Sequence, residues 1–127
     1  MFYRWLGGVV VGNEGPIDAF WAGDGFVNDY LAKELGALVI YAEERYYGKS
    51  LPFGEESLTK PENAVYLNTE QVLADYAVML HSWKKTIPGA ANCPVVAFGG
   101  SYGATLSTMF RIKYPGVDLV VRIIAEC

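Results

Sequence analysis

The sequence predicts an α/β fold: a parallel sheet of about four strands with flanking helices. Three observations predict it. Short apolar, β-branched runs recur along the 127 residues. Segments with helical spacing separate them, and glycine or proline punctuates most junctions. Strands alternating with helices pair in parallel through right-handed crossovers, and ligands then gather at the carboxyl ends of the strands.

Each element has its own signal. Leu6–Val11 is short, apolar and bounded by glycines, as a strand buried on both faces would be. "GNEGPID" follows as a loop. Ala19–Leu35 reads as a helix, with Phe20, Phe26, Val27, Tyr30, Leu31 and Leu35 at helical spacing; Gly23 and Gly25 weaken its start. Gly36 stands where a C-terminal cap is expected. Ala37–Ala42 is a second buried strand. "EERYYGKSLPFGEESLTKPENAVY" reads as a long loop with a short helical turn, a length that marks functional or mobile segments. In "LNTEQVLADYAVMLHSWKK", Val72, Leu73, Tyr76, Met79, Leu80 and Trp83 make one apolar face. Asn68 or Thr69 caps that helix, and Asn68 with Gln71 has capping-box spacing. Lys84 and Lys85 suit the negative end of its dipole. Val95–Phe98 is a third strand. Tyr102–Tyr114 is a helix stopped by Pro115-Gly116, and Val117–Ala125 is a fourth strand.

Composition bounds the function. The chain is 52% hydrophobic and 19% charged, with a net charge of −4. One domain of this size can bury a core of its own. An acidic balance without a basic patch argues against nucleic acid. The two cysteines, Cys93 and Cys127, make neither a disulfide framework nor a zinc site, and read as unpaired thiols. No metal or cofactor is implied. The apolar run near the N-terminus is too short to span a membrane and makes a poor signal peptide. No membrane association is expected, and no N-x-S/T sequon is present.

The chemistry concentrates in "VVAFGGSYGATLSTMF". Gly99-Gly100-Ser101-Tyr102-Gly103 matches G-x-S-x-G between an apolar strand and a helix. A nucleophile elbow turns sharply there and holds its serine in a strained conformation. Side chains at Gly99 and Gly103 would clash. The backbone N–H of Tyr102 then points toward a developing oxyanion at a helix N-terminus. The alternative is a glycine-rich strand-to-helix turn with a structural serine. A dinucleotide fingerprint fits poorly, because no G-x-G-x-x-G is present.

"GNEGPIDAF", "YAEERYYGKSLPFG", "LNTEQVLADYAVML" and "VVAFGGSYGATLSTMFRIKYP", in this order, resemble the prolyl-specific serine peptidases. That family includes lysosomal Pro-Xaa carboxypeptidases and dipeptidyl peptidase II. The resemblance runs from about Gly12 to Pro115. It implies a partial α/β-hydrolase here, residues 1–127 being the N-terminal part of the domain, with a helical cap domain and the C-terminal half absent. It implies a Ser-Asp-His triad, cleavage after proline in short peptides, and a lysosomal or secretory setting. It assigns Ser101 as nucleophile and the Tyr102 N–H as an oxyanion donor. The second donor is expected in the loop after the first strand, around Asn13 to Gly15. In the dipeptidyl-peptidase branch Glu14, with Asn13 beside it, is a candidate substrate-binding residue. The alternative for Glu14 is a loop carboxylate that caps the following helix. Arg45, Tyr46 and Tyr47 are expected at the rim, with Arg45 more simply read as half of a structural ion pair.

The chain departs from the family pattern in places. The usual "AEHRYYG" is "AEERYYG", with Glu44 for histidine, and Ala104 stands where a glycine is usual. The strand expected after Pro115 becomes "VDLVVRIIAEC". The only histidine, His81, precedes Ser101 and belongs to the exposed edge of a helix. The 26 residues after Ser101 contain no histidine, and Asp118 is their only aspartate. In α/β-hydrolases the acid and base follow the serine in the chain. These 127 residues by themselves are therefore expected to be inactive as a peptidase, because a serine hydroxyl without a base is a poor nucleophile.

Three readings stand. The first is a segment of a serine-type exopeptidase, carboxypeptidase or dipeptidyl-peptidase. The second is a non-catalytic α/β module that pairs with itself or a partner through an exposed sheet edge. The third, a general esterase or lipase, has no use for "RYYGKSLPFG".

Overall fold

The computed structural model describes residues 7–116 and 119–123, with side chains for 12–116. Leu6, Asp118 and Cys127 lie outside the described residues. The strands are β1 (Gly7–Val11), β2 (Leu38–Ala42), β3 (Val95–Gly99) and β4 (Leu119–Ile123). They form one sheet in the order β2-β1-β3-β4, every neighbour pair parallel.

The side-chain alternation of β3 divides the core. Val95 and Ala97 face a cluster with Val72, Leu73, Tyr76, Leu80, Leu106 and Phe110. Val96 and Phe98 face the other way, onto Val27. All five residues of β3 are buried, which a continuous apolar run predicts for a strand covered on both sides. The helices α3 (Thr69–Thr86) and α4 (Ser101–Lys113) therefore share one face.

The expected helix Ala19–Leu35 is three pieces. They are α1 (Ile17–Gly23), a π-helical turn (Phe26–Leu31) and α2 (Ala32–Leu35). Asp24 makes the break. Its Oδ1 accepts the Val27 N–H at 3.3 Å, and its backbone carbonyl accepts the Asn28 N–H at 3.1 Å. The Tyr41 hydroxyl, from β2, lies 3.1 Å from Asp24 Oδ2 and 3.0 Å from Asn28 Oδ1. This arrangement keeps Val27 buried on Val96 and Phe98. Gly36 closes α2 at φ 58°, a left-handed cap as expected.

The Asn68 cap of α3 forms, its Oδ1 accepting the Gln71 N–H at 3.0 Å. The reciprocal half of the capping box does not, because Gln71 Oε1 accepts from Arg45 Nη1 at 3.1 Å instead. The stretch expected as a long loop carries two 3₁₀ helices, Gly54–Glu56 and Pro61–Tyr66. It is anchored by buried Tyr46, whose hydroxyl donates to the Asn63 carbonyl, and by buried Ser57, whose Oγ donates to the Gly54 carbonyl at 2.7 Å.

Sheet order fixes where a site can form. From β1 the chain moves toward β2, and from β3 it moves the opposite way, toward β4. The loops that leave β1 and β3 thus diverge above the β1–β3 boundary, the position at which open α/β sheets bind ligands. "GNEG" is one of these loops and the Ser101 turn is the other.

Candidate active site

Gly99 ends β3, Gly100 caps α4, and Ser101 is the first helical residue. Ser101 has φ 49°. A left-handed conformation costs a non-glycine residue on the order of 1–3 kcal/mol and persists only where the surroundings impose it. Packing at Gly99 imposes it here. A Cβ on Gly99 would lie 2.2 Å from the Gly103 carbonyl oxygen and 2.7 Å from the Ala104 nitrogen. Strand and helix therefore meet with no room for a side chain, and Ser101 is carried to the exposed tip. The Tyr102 N–H lies in the first turn of α4, where a helix leaves its donors without intrahelical partners.

Asn13 locks this turn from the β1 loop. Its Oδ1 accepts the Gly103 N–H, a bond across 90 residues. Its carbonyl accepts the Gly15 N–H at 2.7 Å. Two expectations change accordingly. Asn13 was expected to contact substrate, but its side-chain oxygen is spent on the elbow. Gly15 was expected to offer an oxyanion donor, but its N–H is engaged inside its own loop. Glu14, between them, is exposed. It does not cap α1: Glu43 does, its Oε2 accepting the Ile17 N–H at 3.0 Å.

Glu43 was missed in the sequence. Its Oε1 also accepts from the Lys49 N–H at 2.9 Å and from Ser50 Oγ at 2.8 Å. Burial alone would raise its pKa, but the donors from Ile17, Ser50 and Lys49 outweigh it and hold the carboxyl below its usual value. Gly48 packs directly on this carboxylate. Only the pairing of "AEE" with "GKS" hinted at this knot.

Arg45 takes its structural role. Its Nε and Nη2 bind the two Asp75 oxygens at 2.7 and 2.6 Å. That bidentate pair joins the loop after β2 to α3. Tyr47 is half-buried, and desolvation, then the charges of Glu44 and Glu14, raise its pKa.

Glu44 is 2% exposed. Its Oε1 accepts from the Tyr102 hydroxyl at 3.2 Å, and its Oε2 is buried without a partner. Desolvation is the main cause that raises its pKa; the Tyr102 bond opposes this, and the nearby Glu14 adds to it.

His81 is exposed on α3. Its neighbours Leu80 and Trp83 line an apolar cleft with Ile40 and with Leu38 and Val95, the first residues of β2 and β3. Ser101 lies beyond the opposite, carboxyl end of β3. His81 and Ser101 thus occupy opposite ends of the sheet. Among the described residues no helix is long and apolar enough to cross a membrane, and no group of three His, Cys, Asp or Glu side chains is arranged to hold a metal ion.

Known proteins share this pattern. Residues 8–125 match the family described as serine carboxypeptidase S28. The chain is 51% identical over 104 residues to the lysosomal Pro-X carboxypeptidase of Homo sapiens, covering 82% of this chain and 21% of that protein. It is 49% identical over 115 residues to the lysosomal Pro-X carboxypeptidase of Bos taurus, covering 91% and 22%. It is 50% identical over 107 residues to a prolyl carboxy peptidase like protein of Caenorhabditis elegans, covering 84% and 21%. The chain spans about a fifth of the length of these relatives. With the family pattern matched over nearly its whole length, the chain belongs to the serine carboxypeptidase S28 family of serine peptidases.

Proposed function

We propose that this sequence is the nucleophile-bearing segment of an α/β-hydrolase that acts as a proline-specific serine carboxypeptidase. The observation that carries it is Ser101, held at φ 49° on the first turn of α4 between two glycines. Names of the relatives favour the carboxypeptidase branch over the dipeptidyl-peptidase branch, and a lysosomal setting.

In this reading Ser101 Oγ attacks the carbonyl carbon of a proline whose C-terminal neighbour is to be released. Negative charge develops on the carbonyl oxygen beside the Tyr102 N–H, a donor already fixed in place and backed by the α4 dipole. A base takes the Ser101 proton and delivers it to the leaving amino group. Water then hydrolyses the acyl-enzyme by the same route. The base and its acid come from outside these residues, since His81 sits at the wrong end of the sheet. The cap that selects short proline-containing peptides also lies outside them. Asn13 and Gly103 keep the elbow rigid, and Glu14 lines the approach.

The whole protein, assayed on an N-blocked Xaa-Pro-Phe peptide, should release phenylalanine. Ser101→Ala should lower turnover by about a millionfold, the cost of losing such a serine elsewhere. Release of dipeptides from free N-termini instead would move the protein to the other branch.

A second reading applies to the 127 residues by themselves. The separation of His81 from Ser101 leaves the chain alone without a base. A chain without a base can still pair through a sheet edge, and β2 and β4 are the outer strands.

A further inference from the structure

Glu44 is buried in surroundings that do not suit a carboxylate. It is 2% exposed, with one hydrogen bond to Oε1 and none to Oε2. The groups facing it are acidic or phenolic on every side. Glu14 comes from the loop after β1, Tyr47 from its own loop, Tyr76 from α3, and Tyr102 from α4. Arg45, the next residue along the chain, is committed to Asp75 and Gln71. A buried carboxylate with one bare oxygen and no cation is costly, whereas a neutral carboxyl is not. The Tyr76 hydroxyl, coupled electrostatically to Glu44, is also buried, with the Gly12 backbone beside it.

We propose that Glu44 is a positioning residue for the nucleophile elbow that works in its protonated form, and that its ionisation disables the elbow. The inference rests on the reading of Ser101 as nucleophile. Glu44 Oε1 accepts the Tyr102 hydroxyl at 3.2 Å, and Tyr102 supplies the oxyanion N–H next to Ser101. Neutral Glu44 accepts the Tyr102 hydroxyl and leaves the site dry. Once ionised, Glu44 keeps the Tyr102 hydroxyl as a donor to Oε1, but its bare Oε2 must draw water into the buried space beside Tyr102, and that water displaces Tyr102 and the turn that carries its N–H. The burial of Glu44 favours the neutral form, which agrees with the direction of its pKa. The site would be intact in acid and lost as pH rises through the Glu44 titration, with no change to the triad.

The test uses the whole protein and two readouts. The Glu44 carboxyl carbon is titrated by NMR, assigned through bonds, so the measurement needs no variant. A midpoint above 4.5 is expected; a midpoint at or below that value overturns the proposal. The pH dependence of kcat/KM is then compared between wild type and Glu44→Gln. Wild type should show an alkaline limb falling up to tenfold per pH unit, with the carboxyl midpoint, and Glu44→Gln should lose it. An alkaline limb that survives Glu44→Gln overturns the proposal. If Glu44→Gln does not fold, Tyr102→Phe replaces it: the limb should move to higher pH, because the lost hydroxyl favours the ionised carboxyl, and an unmoved limb again overturns the inference. Hydrolysis that survives Ser101→Ala sinks the Ser101 reading and with it the task of Glu44, a failure told apart because it appears with Glu44 intact.

Discussion

Asn13 and Gly103, 90 residues apart, share a hydrogen bond that ties the loop after β1 to the turn after β3. The bond spans the point at which the two connections diverge, so it braces the elbow from the side where a substrate would enter. Asn13→Ala leaves the Gly103 N–H, a buried group, without its acceptor. Such a loss costs about 1–3 kcal/mol. Urea unfolding should show that loss, and the whole protein should lose kcat more than substrate affinity. Asn13→Asp, which keeps the acceptor, should retain most of both.

Gly99 tolerates no side chain. A Cβ there meets backbone at 2.2 Å, and backbone cannot rotate away. Gly99→Ala should destabilise by about 3 kcal/mol or more, at the upper end of overpacking effects. Thermal unfolding checks it. A small shift would mean that strand and helix separate more easily than the elbow requires.

The Arg45–Asp75 pair is partly exposed, with side chains 18% and 41% accessible. Its worth is correspondingly modest, about 1 kcal/mol. Arg45→Lys should lose most of that, because an ammonium cannot make the two-pronged contact. Raising salt should narrow the gap between Arg45→Lys and wild type.

Neighbouring carboxyls should titrate in opposite senses. The Glu43 pKa is lowered, so its contribution to stability is full above the unfolded value of 4.5 and fades as pH falls through its folded value. The Glu44 pKa is raised, so its contribution is full below 4.5 and fades as pH rises through its folded value. Stability measured against pH should therefore respond to Glu43→Gln on the acid side and to Glu44→Gln above it. Both variants flattening the same side would contradict the assignment of their partners.

The strands and the elbow were legible because their signals are local. A buried strand declares itself by an unbroken apolar run, and G-x-S-x-G between strand and helix states its own geometry. Less legible were residues whose partners lie far along the chain. Asn13 reads as a loop polar group, and only the fold brings it to Gly103. Glu43 serves Ile17, 26 residues back. Gln71 has capping-box spacing but answers to Arg45. The break at Asp24 was hidden for the same reason. Its cause includes Tyr41, on a different element, while the apolar spacing across it persists. Helix periodicity places His81 on an exposed edge, and it is exposed.

The central claim is that Ser101 is the nucleophile. The most direct measurement treats the whole protein with a fluorophosphonate, digests it and maps the modified residue. One label per chain on Ser101, with peptidase activity lost in proportion, is the predicted result. Full activity with Ser101 unlabelled, or with Ser101 replaced by alanine, would contradict it.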